Sequence, residues 1–258
     1  MNVSSVFVYP KRPLADGIHV VSTTRGGLVP INMLGNRSDV YASFNLGLHC
    51  GDAAEHVLAN RELLKQKLQL PSTPCWLSQV HGTDILKTSQ SIDSNPNADG
   101  LYTQSLGVVC AVMTADCLPL VLCDKDSKQV MAVHAGWRGI AAGIVEKAVG
   151  LFECSPKAIR AWAGPCIGPK AFEIGAEVVE QLGGNKKFYT PSSDNFTIKE
   201  TARYYADLAS LVGERLREQG VNHYSHSREC TYQNQERFFS YRRDGQTGRM
   251  ATLIWKQF

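Results

Sequence analysis

The sequence predicts an α/β fold of the α+β type, with mixed β-sheets and flanking helices in a single domain over residues 1–258. Three observations predict it. Apolar runs of strand length recur at 107–113, 118–123, 128–133, 158–163 and 250–255, and stretches with helical spacing lie between and beside them. A composition of 43% hydrophobic and 20% charged residues can bury a full-size core and argues against a disordered or coiled-coil chain. The chain also shows no internal repeat or low-complexity tract.

Taken in order, residues 15–23 read as a strand running into the polar turn Thr23-Thr24-Arg25-Gly26-Gly27, and 28–52 as loop. Asp52 can cap a helix over 53–69, where Val57, Leu58, Leu63, Leu64 and Leu68 recur at roughly helical spacing. Cys75 to Val80 is expected as a short strand ending at His81-Gly82, and 88–98 as a polar loop. The most apolar part follows, 107–113 and 118–123. Because Pro119 cannot donate into a central ladder, these read as two buried strand segments flanking a kink, with Cys117 in irregular backbone. A strand over 128–133 leads through His134-Ala-Gly-Trp-Arg-Gly139 to a helix over 139–152, whose N-terminus would suit an anion. Another strand is expected at 158–163 and helices at 175–182 and 204–219. The last strand, 250–255, reads as a hairpin completing a sheet.

Lys and Arg number 27 against 24 Asp and Glu, a net charge of +3, and they are scattered. No basic face for a phosphate backbone emerges, so no nucleic-acid partner is expected. The apolar stretch before Pro10 falls short of the roughly 7–15 residues of a signal-peptide core, and no run approaches the ~20 residues of a membrane span. A cytoplasmic monomer without a membrane partner is expected. The eight cysteines contain no C-x-x-C pair and read as reduced thiols or ligands.

Three strands end alike, in a reactive side chain followed by a small or turn-forming residue: Val80-His81-Gly82, Asp116-Cys117 and His134-Ala135-Gly136. Should those ends share one sheet region, the three side chains would meet. Spacing alone leaves open the plainer readings, a hydrogen-bonded structural imidazole and a buried inert thiol.

The longer strings around these ends carry more. Val112-Met-Thr-Ala-Asp-Cys-Leu-Pro-Leu120 with Ala132-Val-His-Ala-Gly-Trp-Arg-Gly139 resembles the signature of the YfiH or laccase-domain family, also called multicopper polyphenol oxidase-like or peptidoglycan editing factor. Thr23–Gly27, Ser43-Phe-Asn-Leu-Gly47, Gly51-Asp52, Asn60-Arg61, Gln79–Gly82, Ala98-Asp-Gly100, Gly164-Pro165, Phe239–Asp244 and Gly248-Arg249 follow the same family's order across nearly the whole chain. The resemblance implies a YfiH-like fold and a zinc ion held by His81, Cys117 and His134. It also implies phosphorolysis of adenosine, inosine and methylthioadenosine, with deamination of adenosine, so that the partners are a purine nucleoside and phosphate.

Two neutral imidazoles and a thiolate leave a fourth tetrahedral position open, the pattern of a catalytic zinc site. His₂Cys with a weak axial Met113 would suit copper, but seven histidines are too few for a multicopper cluster as well; copper remains an adventitious alternative metal. Asp116 is the candidate carboxylate for moving protons while a water attacks C6 of adenine. Arg25, Asn45, Gln79 and Arg138 are the candidate substrate contacts, Arg25 and Arg138 for phosphate, and Phe44, Trp137 and Tyr241 the candidate stacking surfaces. Arg242 and Arg243 are expected to fix the tail, and His223-x-x-His226 lacks any further ligand pattern. Three competing readings use the same residues. One is a metal-free hydrolase or amidase for peptidoglycan precursors, with Cys117 as nucleophile and His134 as base. The others are a copper-binding polyphenol oxidase and a non-enzymatic protein stabilised by zinc.

Overall fold

The long apolar runs are uninterrupted because their strands are covered on both faces. In the computed structural model, which describes residues 6–26, 40–192 and 202–257, β6 (Leu118–Asp124) and β7 (Val130–Ala135) are buried at every position. They form the centre of a six-stranded sheet in the order β12 (His223–His226), β8 (Ile159–Ala163), β6, β7, β4 (Gly100–Thr103), β3 (Ile85–Thr88). The two edge strands pair parallel to their neighbours, while the inner pairs are antiparallel, so the sheet is mixed as expected.

A second, antiparallel sheet has the order β1 (Phe7–Val8), β2 (Ile18–Thr23), β13 (Met250–Lys256), β5 (Cys110–Thr114). The two sheets enclose one core, in which Val20, Cys110, Val112 and Ile254 meet Val121, Ala132 and Trp162. The outer face of the six-stranded sheet, with Leu118, Leu120, Leu122, Met131 and Val133, is covered by α2 (Trp137–Ala141), α3 (Ile144–Gly150) and α5 (Leu208–Glu218). On the outer face of the four-stranded sheet Val21, Ala111, Met113 and Leu253 pack with Leu64 of α1 (Ala54–Leu68). The result is a helix–sheet–sheet–helix sandwich. A small sheet of β10 (Tyr189–Pro191), β11 (Arg203–Ala206) and β9 (Glu173–Gly175) precedes α5, with α4 (Ala176–Gln181) following β9. The short α6 (Tyr241–Asp244) begins at Ser240, whose hydroxyl accepts the Arg243 N–H.

Several elements differ from expectation for identifiable reasons. Cys75 to Val80 is not a strand; Cys75 and Ser78 make single bridges to Cys110 and Asn97. The helix expected over 139–152 is two pieces, broken where Gly143 takes φ +89. The helix expected from 204 starts only at Leu208, because Asp207 caps it by accepting the Ser210 N–H (2.9 Å), and the residues before it pair as β11. Pro119 lies inside β6, at its second residue, where pairing with β8 has not yet begun. The last strand is no hairpin arm: β13 sits between β2 and β5, far from both in sequence. Of the loop expected over 28–52, residues 28–39 lie outside the described residues. All eight cysteines are unbridged.

Leu120 is fully buried in the helix-facing core. Leu120→Ala should therefore cost about 2–5 kcal/mol in urea unfolding, by lost transfer energy and an incompletely filled cavity.

Candidate metal centre and cavity

β5 belongs to the four-stranded sheet and β6 to the six-stranded one, so the turn between them crosses from sheet to sheet and carries Asp116-Cys117. Asp116 takes φ +91, unusual for a residue with a side chain. Its carboxylate holds that turn in place: Oδ1 accepts the Thr231 hydroxyl (2.6 Å), and Oδ2 accepts the Ser240 hydroxyl (3.0 Å) and the Arg242 N–H (2.7 Å). Both oxygens are engaged and the residue is buried. The geometry thus gives Asp116 a positioning duty, while the residue also lines the cavity into which the cluster opens.

His134 lies in β7, and His81 in the irregular stretch before β3, with φ +60. One carboxylate joins them. Asp99, fully buried just before β4, accepts the N–H groups of Val80 (3.2 Å), His81 (2.9 Å) and Gly82 (2.7 Å) and pairs with Nδ1 of His134 (2.8 Å). Nδ1 being held by Asp99, the other ring nitrogen of His134 is left for the cluster. There Nε2 of His81 lies 3.9 Å from the Cys117 sulfur, and the two imidazoles stand edge to face with centroids 4.7 Å apart.

The ligand atoms of His81, Cys117 and His134 all lie within 4.8 Å of one another, and among the described residues no fourth His, Cys or carboxylate joins them. The spacing and the donor set fit a metal ion with three protein ligands and an open position. Gly136 borders the same space. A Cβ there would stand 3.1 Å from His81 Cδ2, 3.2 Å from the Cys117 sulfur and 3.5 Å from His134 Cε1, so a side chain would crowd His81 and Cys117 and touch His134. Burial alone would raise the Cys117 thiol, but His134 and His81 beside it outweigh that and bring it down to about 6. Burial would likewise lower His134, yet the Cys117 thiolate and Asp99 raise it to about 9.

The cluster opens into a cavity of about 510 Å³. Trp137, Arg138, Phe172, Tyr241 and Arg242 form part of its wall, the Arg138 guanidinium lying 4.5 Å over the Trp137 ring. The other expected contacts fare unevenly. Gln79 reaches the cavity, but its amide is clamped on the backbone of Met113, donating to the carbonyl and accepting the N–H, each at 2.7 Å. Asn45 does not line the cavity. It is fully buried, donates to Asp52 and accepts the N–H groups of Gly47 and Arg249. Arg25 is likewise absent from the cavity wall; it donates to the Ala42 and Gln235 carbonyls and covers the Phe239 ring. Phe44 is a core residue under α1. The helix start expected to suit an anion is that of α2, a single short piece.

Arg243 does fix the tail, donating to the carbonyls of Thr231, Tyr232 and Phe238. His223 and His226 lie on an edge strand and join no metal cluster among the described residues. Sequence reasoning passed over Asp99, and also His49, Arg249 and Phe172 in the cavity wall. Asp99 and Arg249 stood inside the quoted motifs Ala98-Asp-Gly100 and Gly248-Arg249, but nothing in those strings says what a carboxylate or guanidinium will touch.

A family model described as multi-copper polyphenol oxidoreductase laccase matches residues 19–257. The chain belongs to this laccase-domain family. It is 44% identical over 251 residues to the purine nucleoside phosphorylase YfiH of Escherichia coli K12, covering 97% of this chain and 99% of that one. It is also 40% identical to a purine nucleoside phosphorylase of Haemophilus influenzae, over 96% of this chain and 98% of the relative. Among solved structures, Neisseria meningitidis protein NMB0706 superposes with a TM-score of 0.87 at 34% identity, covering 98% of this chain and all of that one. YlmD of Geobacillus stearothermophilus gives 0.81 at 32% identity with the same coverage. The YfiH fold expected from the motifs is therefore shown. No helix among the described residues is long and apolar enough to cross a membrane.

Two outcomes follow for this laccase-domain centre. Asp99→Asn keeps the shape but turns an acceptor-only group into one that also donates, and should weaken metal binding about 10–100-fold in a chelator competition. Between about 6 and about 9 the metal-free pair carries its proton on His134 and none on Cys117. The stabilisation by that pair is lost as pH falls through the thiol value or rises through the imidazole value. Metal uptake near neutral pH should accordingly release about one proton, measurable by calorimetry in buffers of different ionisation enthalpy.

Proposed function

We propose that the protein is a zinc-dependent purine nucleoside phosphorylase acting on adenosine, inosine and methylthioadenosine, with adenosine deamination as a second reaction of the same cavity. The observation that carries this reading is the convergence of His81, Cys117 and His134 on a cavity lined by aromatic rings and arginines. Its size lies within the roughly 300–1,000 Å³ of small-molecule sites. The relatives named purine nucleoside phosphorylase support it.

In phosphorolysis the bond between C1′ of the sugar and the purine nitrogen breaks, a phosphate oxygen bonds to C1′, and the departing purine keeps the electron pair and gains a proton. Trp137, Phe172 and Tyr241 offer faces for the neutral purine, with Tyr241 61% exposed at the surface end of the cavity. Arg138, held flat on Trp137, supplies a cationic donor beside those rings. Asp99 keeps His134 in one orientation, and Asp116 keeps Cys117 in the sheet-crossing turn. Held by His81, Cys117 and His134, zinc would supply a Lewis-acidic centre with one open coordination position. The geometry favours zinc over copper with an axial methionine, because the Met113 sulfur is turned to the Arg61 guanidinium, 3.7 Å from Nη2.

Purified protein incubated with adenosine or inosine should release free base only when phosphate is present, and adenosine alone should yield inosine. Chelation, His134→Ala and Cys117→Ala should each reduce both reactions by at least about 100-fold, with metal content falling in parallel. Base release that survives both substitutions would overturn the reading. Insensitivity to chelators combined with inactivation by alkylating agents would favour the metal-free cysteine hydrolase.

A further inference from the structure

Three basic residues, His49, Arg61 and Arg249, have no part in the reading above, yet the fold gathers them. His49 and Arg249 both line the cavity. Arg61, on α1, lies behind Met113, another wall residue; its Nε donates to the Leu46 carbonyl (2.9 Å), and its guanidinium sits 4.1 Å over the Trp76 ring. The three feel one another: burial first, then the charges of Arg249 and Arg61, hold His49 below the usual imidazole range. Among the described residues neither arginine is in an ion pair with a carboxylate.

The loop that carries His49 is built around Arg249. Oδ1 of Asn45 accepts the Arg249 N–H (2.9 Å), and the Leu46 N–H donates to the Arg249 carbonyl (3.1 Å). A Cβ at Gly47 would stand 2.8 Å from Cγ of Arg249, so only glycine lets the arginine stem lie across the loop. Nη1 of Arg249 is spent on the Thr247 (2.7 Å) and Gly248 (3.1 Å) carbonyls, while its Nε and Nη2 have no hydrogen-bond partner among the described residues. The other cavity arginines are differently placed: Arg138 is stacked on Trp137, and Arg242 donates to the Glu173 carbonyl (2.8 Å). The carboxylate nearest this group, Asp52, is taken up by Asn45 and by its own contact with His56. Cationic groups drawn together without a paired carboxylate repel one another, and an anion that accepts their free N–H groups removes that cost.

We propose that His49 and Arg249, with Arg61 behind them, form the subsite for the phosphate co-substrate, and that Arg138 contacts the nucleoside instead. The proposal rests on the phosphorylase reading and deepens it. Guanidinium N–H groups suit phosphate oxygens in pairs, and an imidazole in this setting adds a further donor. Asn45 and Gly47 become positioning residues that aim Arg249, which accounts for their place in the Ser43–Gly47 motif.

Kinetics with inosine and inorganic phosphate test the assignment on the metal-loaded protein. Arg249→Gln and, as a milder change in case the first disturbs the loop, His49→Gln should each raise KM for phosphate about tenfold or more, about 1.4 kcal/mol of binding, with KM for inosine within about twofold. Arg138→Gln should show the reverse split. A rise in KM for inosine with phosphate unaffected in both the Arg249 and His49 variants would overturn the proposal. Calorimetric titration of inorganic phosphate into the same proteins without nucleoside separates the two claims. Should the wild type release no base, the phosphorylase reading fails, and the titration alone decides: binding to the wild type that is lost in both variants supports the subsite. Binding equal in all of them, or absent from the wild type, refutes it.

Discussion

The buried carboxylate of Asp99 is the constraint on which the centre depends. Taking a carboxylate fully out of water is costly unless its lone pairs are answered. Here three consecutive backbone N–H groups and one imidazole answer them. Burial alone would raise this acid, but the His134 hydrogen bond and the Gly82 and His81 N–H groups hold it below the usual carboxylate range. Because the donors come from the two segments that carry His81 and His134, satisfying one side chain holds those segments together and orients the His134 imidazole. The position of Asp99 is itself set by the ladder: the next residue, Gly100, pairs with Val133, and the His134 N–H donates to the Asp99 carbonyl (2.7 Å).

The third ligand arrives by a different route. Two sheets packed face to face leave few places where the chain passes from one to the other, and the turn from β5 to β6 is such a place. A sheet-crossing turn has no ladder to hold it, so it needs side-chain ties. Asp116 provides them, reaching Thr231 and the Ser240–Arg242 segment, and the Ile167 N–H adds a bond to its carbonyl (2.9 Å). A positive φ at Asp116 is sustained because the surroundings over-determine it. The tail motif Phe239–Asp244, read from sequence as fixing the chain end, turns out to hold the turn that carries Cys117.

The strands and the trio His81, Cys117 and His134 were legible in the sequence by different signals, the strands by their apolar runs and the trio by the family resemblance of the longer strings around them. Strands buried on both faces must be continuously apolar, so β6 and β7 stand out as long apolar runs. What stayed hidden depends on partners far away in sequence. Asp99 reads as one acid in a short Ala-Asp-Gly string until four donors close on it. Asn45 reads as a loop residue and candidate substrate contact, whereas it is a buried brace for Arg249, more than two hundred residues distant. Cys75 to Val80 has the apolar content of a strand, yet its backbone finds only scattered partners. The break at Gly143 and the late start of α5 were misjudged because apolar spacing continues through positions where glycine conformation or an aspartate cap ends a helix.

Charge ties the two ends of the cavity together. The wall with His81, Cys117 and His134 contributes a thiolate whose charge is already matched by the imidazoles beside it, and the Asp99 and Asp116 carboxylates are taken up by their own donors. The cavity therefore keeps a positive excess from Arg138, Arg242 and Arg249, with Arg61 behind them. A neutral nucleoside cannot neutralise that excess; it is recognised by its aromatic face and sugar hydroxyls. A phosphate dianion can. Under the proposed function the two substrates thus complement different features of one cavity, rings for the purine and unpaired guanidinium groups for the anion. Binding them together brings the nucleophilic oxygen to the sugar within a site whose positive excess the phosphate offsets.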